Sequence, residues 1–133
     1  MIIVDTGAFV ALFDRSDTHH SRAKAFFTNL QEPIITTLPV ITEVCFLLQN
    51  HSKYNFLRTV DADAVELFPL KVQHFKRVLV LIEQYADLPM DFADASLIVL
   101  AEALGHGRII TVDRRDFSIY RWANSQPFEN LLF

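Results

Sequence analysis

The hydrophobic pattern alternates between short β-branched runs and longer stretches with helical spacing. Ile2-Ile3-Val4, Ile34-Ile35-Thr36-Thr37, Val65-Glu66-Leu67-Phe68 and Arg108-Ile109-Ile110-Thr111-Val112 read as strands. The first and fourth have the β-branched density of strands covered on both faces. Ala8 to Phe13 continues from the first strand as a helix, and a second helix beginning near Thr18 puts Ala23, Phe26, Phe27 and Leu30 on one stripe. Pro39 opens a helix carrying Val40, Ile41, Val44, Phe46, Leu47 and Leu48, since its missing N–H costs nothing there. A polar helix is predicted over 52–64. An amphipathic one is predicted over 71–85, with Val72, Phe75, Val78, Leu79 and Ile82 on one side. Residues 92–104 are apolar nearly all round, the pattern of a buried helix, and Gly105 ends it. The tail from Asn130 to Phe133 reads as a fifth strand or an apolar end. Strands alternating with helices define an α/β domain.

Against this pattern the carboxylates stand out. Asp5 and Asp113 each follow a β-branched strand at its carboxyl end. Glu43 lies among apolar neighbours in the helix opened by Pro39, and Asp91 and Asp94, three apart, share one side of the helix over 92–104. Each has a structural alternative. Asp5 and Asp91 suit helix caps, Asp94 suits a first turn, and Glu43 suits an exposed helix edge. In an open α/β sheet, however, strand ends and helix starts share one edge, where ligands bind at a topological switch point. Acids gathered there repel one another and raise one another's pKa unless a cation neutralises them. An all-oxygen set selects a hard divalent ion, Mg²⁺ or Mn²⁺, over zinc. No nucleophile with a matched base and no Gly-rich phosphate loop competes with this site.

Composition adds bounds. The chain has 133 residues, 51% of them hydrophobic and 12 of them Phe, enough for one domain over 1–133 with a real core. Cys45, the only cysteine, has no disulfide partner and reads as a bystander in a reducing compartment. There is no basic segment ahead of the first apolar run and no stretch long enough to span a bilayer, so a cytoplasmic protein is expected. His19 and His20 point roughly 100° apart on a helix and do not easily share an ion. The net charge of −4 argues against a broad basic surface, so any grip on nucleic acid has to come from bound cations and a local basic strip.

Taken in order, VDTGAFVALF, PVITEVCFLL, MDFADASLIVLAEALG and TVDRRDF resemble the PIN domain family, and more narrowly its VapC-type toxins from toxin–antitoxin pairs. The resemblance covers nearly the whole chain. It implies a three-layer α/β/α fold with a parallel sheet ordered 3-2-1-4-5, which places Asp5 beside Asp113. It also implies a Mg²⁺-dependent endoribonuclease, with Mn²⁺ as a substitute, that hydrolyses RNA to a 5′-phosphate and a 3′-hydroxyl. Asp5, Glu43, Asp94 and Asp113 match the family's acidic positions as catalytic groups and metal ligands, and Asp116 is an alternative for the fourth. Thr6 matches a small hydroxyl residue that holds a water or phosphate. Arg114 and Arg115 are candidates for RNA phosphate contacts or, alternatively, a solvated turn. A homodimer and a small antitoxin that inserts a helix into the acidic groove are the partners implied.

Two other acidic-pocket folds fit less well. A phosphoaspartate receiver needs an acceptor Asp at the end of strand 3, where this chain has Phe68-Pro69-Leu70. An aspartate-nucleophile phosphatase needs a second Asp two residues after Asp5, where Gly7 stands. The alternative within the same fold is a catalytically silent module that binds RNA or protein.

Overall fold

The computed structural model describes residues 1–133. Strand β1 (Ile2–Val4) is the centre of a five-stranded sheet that also contains β2 (Ile34–Thr37), β3 (Glu66–Phe68), β4 (Arg108–Ile110) and β7 (Glu129–Asn130). All pairs are parallel, and the order is β3-β2-β1-β4-β7. This is the expected 3-2-1-4-5 arrangement, with the tail supplying the fifth strand. Ile3 faces Ile35 on one side and Ile109 on the other, so the three most β-branched strands form the buried middle.

The chain steps outward from β1 to β2 to β3, then crosses back to β4 and on to β7. Right-handed crossovers in opposite directions put their helices on opposite faces. On one face lie α1 (Thr6–Phe13), α2 (His20–Asn29), α3 (Leu38–Leu47) and α4 (Asn50–Asp61), with α1 packed on the other three. On the other lie α5 (Phe75–Gln84), α6 (Phe92–Leu104) and α7 (Arg114–Ile119), with α6 packed on α5 and crossing β1 and β2. The three layers are those expected. The apolar run of α6 is explained by burial of every residue from Ala95 to Ala101. Within it, the Ser96 hydroxyl is satisfied by Thr37 Oγ1 and the Ala93 carbonyl, both at 2.6 Å, which ties α6 to β2.

Three local expectations change. The helix expected near Thr18 begins at His20, because the Asp17 carboxylate accepts the His19 N–H at 2.8 Å and turns the chain first. The helix over 71–85 is preceded by a 3₁₀ turn at Val72–His74, stabilised where the His74 ring accepts the Lys71 N–H. Its apolar arc is also wider than its contact with α6. Val78 and Leu81 are buried, whereas Val72, Phe75, Leu79 and Ile82 are left facing outward. Between α7 and the tail, β5 (Arg121–Trp122) and β6 (Gln126–Pro127) form a small antiparallel pair that two-residue strands do not announce in sequence.

Gly7 explains why no side chain stands at the second position of α1. A Cβ there would collide with a γ-methyl of Val112, a stiff β-branched side chain just past β4. Gly7→Ala is expected to lower stability by about 1–2 kcal/mol despite Ala's better helix propensity. Combining it with Val112→Ala in a double-mutant denaturation cycle should show favourable coupling. Additive losses would remove the steric explanation.

Candidate metal-dependent active site

The order of strands reverses between β1 and β4, and the acids collect at the carboxyl edge beside that switch point. Asp5 leaves β1 in extended conformation and caps α1, its Oδ1 accepting the Thr6 N–H at 2.7 Å. Its Oδ2 accepts the Thr111 hydroxyl at 2.8 Å. The β1–β4 register, Val4 opposite Ile110, brings these two residues level. Thr111 Oγ1 also accepts the Asp113 N–H at 2.9 Å, so a single hydroxyl links the ends of both strands. Burial is the main force on Asp5 and pushes its carboxyl up to about 6, against the two hydrogen bonds.

Helix α6 supplies two more acids. Asp91 caps it by accepting the Asp94 N–H at 2.8 Å, and Asp94 sits in its first turn. Asp94 is pushed up to about 8, first by burial and then by the charges of Asp5 and Asp91. The Tyr120 hydroxyl opposes this by donating to Asp94 Oδ2 at 2.9 Å. Glu43 projects from α3, half-buried, and is raised to about 7 by burial and then by the neighbouring Asp91 and Asp5. Asp113 caps α7 by accepting the Asp116 N–H at 2.9 Å, and burial together with Asp113 raises Asp116.

The structure therefore places Asp5 and Asp91 between the other acids, both acting on Glu43 and on Asp94, with Asp113 acting on Asp5 and Asp94. Asp116 touches the group through Asp113. Arg114 and Arg115 are exposed in the first turn of α7, immediately after Asp113. Thr6 is buried, and its Oγ1 is the one buried side-chain polar atom left without a partner. His19 and His20 diverge, His19 to the Phe133 ring and His20 Nδ1 to the Ala11 carbonyl at 2.8 Å. Two contributors escaped the sequence analysis. Thr111 had a signal, a hydroxyl two residues before the strand-end acid. Tyr120, 26 residues beyond its partner, had none.

The donor chemistry fits a hard divalent cation. Every group is an oxygen, three carboxyls are pushed up by burial first and then by neighbouring acids, and the Thr6 hydroxyl beside Asp5 has no partner. As placed, no three of the acids converge closely enough to hold one ion.

A parallel sheet with carboxylates from two strand ends and two helices gathered beside its switch point defines an α/β domain with one acidic edge. Residues 2–123 match the PIN domain family model, and the chain belongs to that family. Ribonuclease VapC26 of Mycobacterium tuberculosis is 26% identical over 124 residues, spanning 90% of this chain and 92% of the relative. The crystal structure of M. tuberculosis VapC20, a toxin that cleaves the sarcin–ricin loop, superposes with a TM-score of 0.83 at 19% identity, covering 96% of this chain and all of that one.

The raised carboxyls make a signed prediction for the metal-free protein. Folded Asp94 keeps its proton to about pH 8, whereas the unfolded chain releases it near pH 4. Between those values the folded state binds more protons, so stability falls as pH rises. In EDTA, Asp94→Asn should be more stable than the parent by about 1–3 kcal/mol at pH 8, with the gain gone below pH 4. Chemical denaturation at both pH values checks this, and a destabilised Asp94→Asn at pH 8 refutes it.

Proposed function

We propose that this chain, as a single domain over 1–133, is a metal-dependent endoribonuclease, the toxin of a type II toxin–antitoxin pair acting in the cytoplasm. The observation that carries the reading is the crowding of Asp5, Glu43 and Asp94 at the β1/β4 switch point with their pKa values raised and no basic side chain hydrogen-bonded among them. The PIN family match and the ribonuclease relative supply the substrate class.

Asp5, Asp94, Glu43 and Asp113 are the residues we assign to hold Mg²⁺, or Mn²⁺ in its place. When bound, such an ion offsets the carboxylate charge, lowers the pKa of a water and stabilises the charge of phosphoryl transfer. The protein's own part is placement. Thr111 and the Thr6 N–H fix both oxygens of Asp5, and Tyr120 fixes one oxygen of Asp94. Thr6 Oγ1 offers a free hydroxyl to a water or phosphate oxygen. To Glu43, less enclosed than Asp5 and Asp94, we assign the further role of taking the proton of the attacking water. The water oxygen joins phosphorus, the bond from phosphorus to the 3′ oxygen breaks, and that oxygen takes a proton from solvent water, which leaves a 5′-phosphate and a 3′-hydroxyl. To Arg114 and Arg115, exposed just after Asp113, we assign contacts with the RNA backbone.

Two surfaces support the proposed partners, an antitoxin and a second copy of the chain. A cleft lined by Leu38, Pro39, Leu70, Phe75 and Phe92 opens directly onto Glu43 and Asp91. Its apolar floor and acidic wall suit an antitoxin helix that carries a basic residue. Outward apolar side chains on α3 and α5, among them Phe46 at 87% exposure and Leu79 at 69%, suit a homodimer.

The first test is cleavage of total RNA by inhibitor-free protein with Mg²⁺, Mn²⁺ or EDTA. Metal-dependent products that disappear with Asp94→Asn are expected, with a loss of at least about 10²-fold in rate. A folded parent that binds RNA but cuts none under any metal condition would identify the silent binding module instead. Tyr120→Phe removes the one hydrogen bond that lowers the Asp94 pKa. Activity at pH 7 should fall several-fold, on the order of one lost hydrogen bond, and recover in part toward pH 9. A pH profile identical to the parent's would separate Tyr120 from Asp94.

A further inference from the structure

The acidic centre leaves a charge problem for an RNA enzyme. A chain of net charge −4 has to hold a polyanion next to a group of carboxylates, so the cations nearest that centre matter most. Arg77 and Arg108 are occupied by ion pairs with Glu102 and Glu32, both at 2.8 Å. Arg22 and Arg114 are exposed and in no ion pair, yet both are held in place. The guanidinium carbon of Arg22 lies 4.5 Å from the centroid of the Phe133 ring, and that of Arg114 lies 4.8 Å from the same centroid.

The ring is anchored by the tail. The Leu131 N–H bonds to the Ile109 carbonyl at 2.8 Å, and Leu132 is buried in the core. Arg22 Nη1 donates to the Leu132 carbonyl at 2.9 Å, and the His19 ring meets Phe133 edge-on at 5.3 Å. A guanidinium ordered by an aromatic face keeps its charge and its remaining N–H donors available for a phosphate, with less freedom to lose on binding. Two such groups on one ring are at most about 10 Å apart, on the scale of neighbouring phosphates along a single strand.

We propose that Arg22 and Arg114, stacked on Phe133, form a two-guanidinium site for the RNA backbone beside the scissile bond. This rests on the nuclease reading, because what ties the site to the reaction is the chain adjacency of Arg114 to Asp113. α2, α7 and the tail, distant in sequence, are brought together to build it. Backbone contacts of this kind position the strand without reading its sequence.

The test uses Asp94→Asn protein, a fluorescein-labelled single-stranded RNA and Mg²⁺, with anisotropy followed across a KCl series. Arg22→Ala and Arg114→Ala should each weaken binding about 3–10-fold at low salt and reduce the salt slope by about 0.7, the value for one phosphate contact on a single strand. Phe133→Ala should shift affinity in the same direction with both charges still present. Arg22→Lys should recover the slope but not the whole affinity. In cleaving protein, Arg22→Ala should raise KM more than it lowers kcat. A folded Arg22→Ala with an unchanged slope, while the parent still cuts RNA, overturns this site alone. If the parent cuts no RNA and Asp94→Asn binds none, the nuclease reading fails and this site with it.

Discussion

The fold depends on keeping like charges together where they do not want to be. Asp5, Asp91 and Asp113 each cap a helix, and these three helices, α1, α6 and α7, begin at the same edge of the sheet. Each cap satisfies backbone N–H groups and meets the positive end of a helix dipole, worth on the order of 1 kcal/mol apiece. The same placement buries Asp5 and crowds Asp94 and Glu43, which raises all three carboxyls. Capping and function are therefore not alternatives here. The caps are what make it possible to hold the acids in a position that a cation would relieve.

Neutral donors, rather than cations, hold the centre. Thr111 and Tyr120 donate to Asp5 and Asp94 without cancelling their charge. A lysine or arginine in either position would form a buried ion pair, stabilise the metal-free state and compete with an incoming ion. The Thr111 link also makes the β1–β4 pairing part of the site. A register slip between those strands would move Thr111 away from Asp5 and turn their side chains to the wrong face.

Much of this was legible in the chain because the signals were local. β-branched runs marked the three central strands β1, β2 and β4, the all-round apolar pattern of 92–104 marked a buried helix, and strand-end placement marked Asp5 and Asp113. Asp94 and Glu43 were legible as acids in apolar surroundings. What stayed hidden depended on distance. Tyr120 reaches Asp94 only because α7 and the following turn fold back over α6, and no spacing encodes that contact. The outward stripe of α5 was hidden for a different reason. Hydrophobic periodicity shows that a face is apolar, and only the packing of α6 decides which part of a wide face is covered.

Net charge says nothing of where along the surface the charges lie, and the structure distributes them unevenly. A sum of −4 treats all charges as equivalent, but the acids are concentrated at one edge while two unpaired arginines are stacked on a ring beside it. At physiological ionic strength charges are screened beyond roughly 8 Å, so a strand of RNA responds to what it touches and not to the total. Phe133 matters in that balance although it carries no charge. By ordering cations that have no carboxylate partner, it keeps positive potential next to an acidic centre without letting the two neutralise each other.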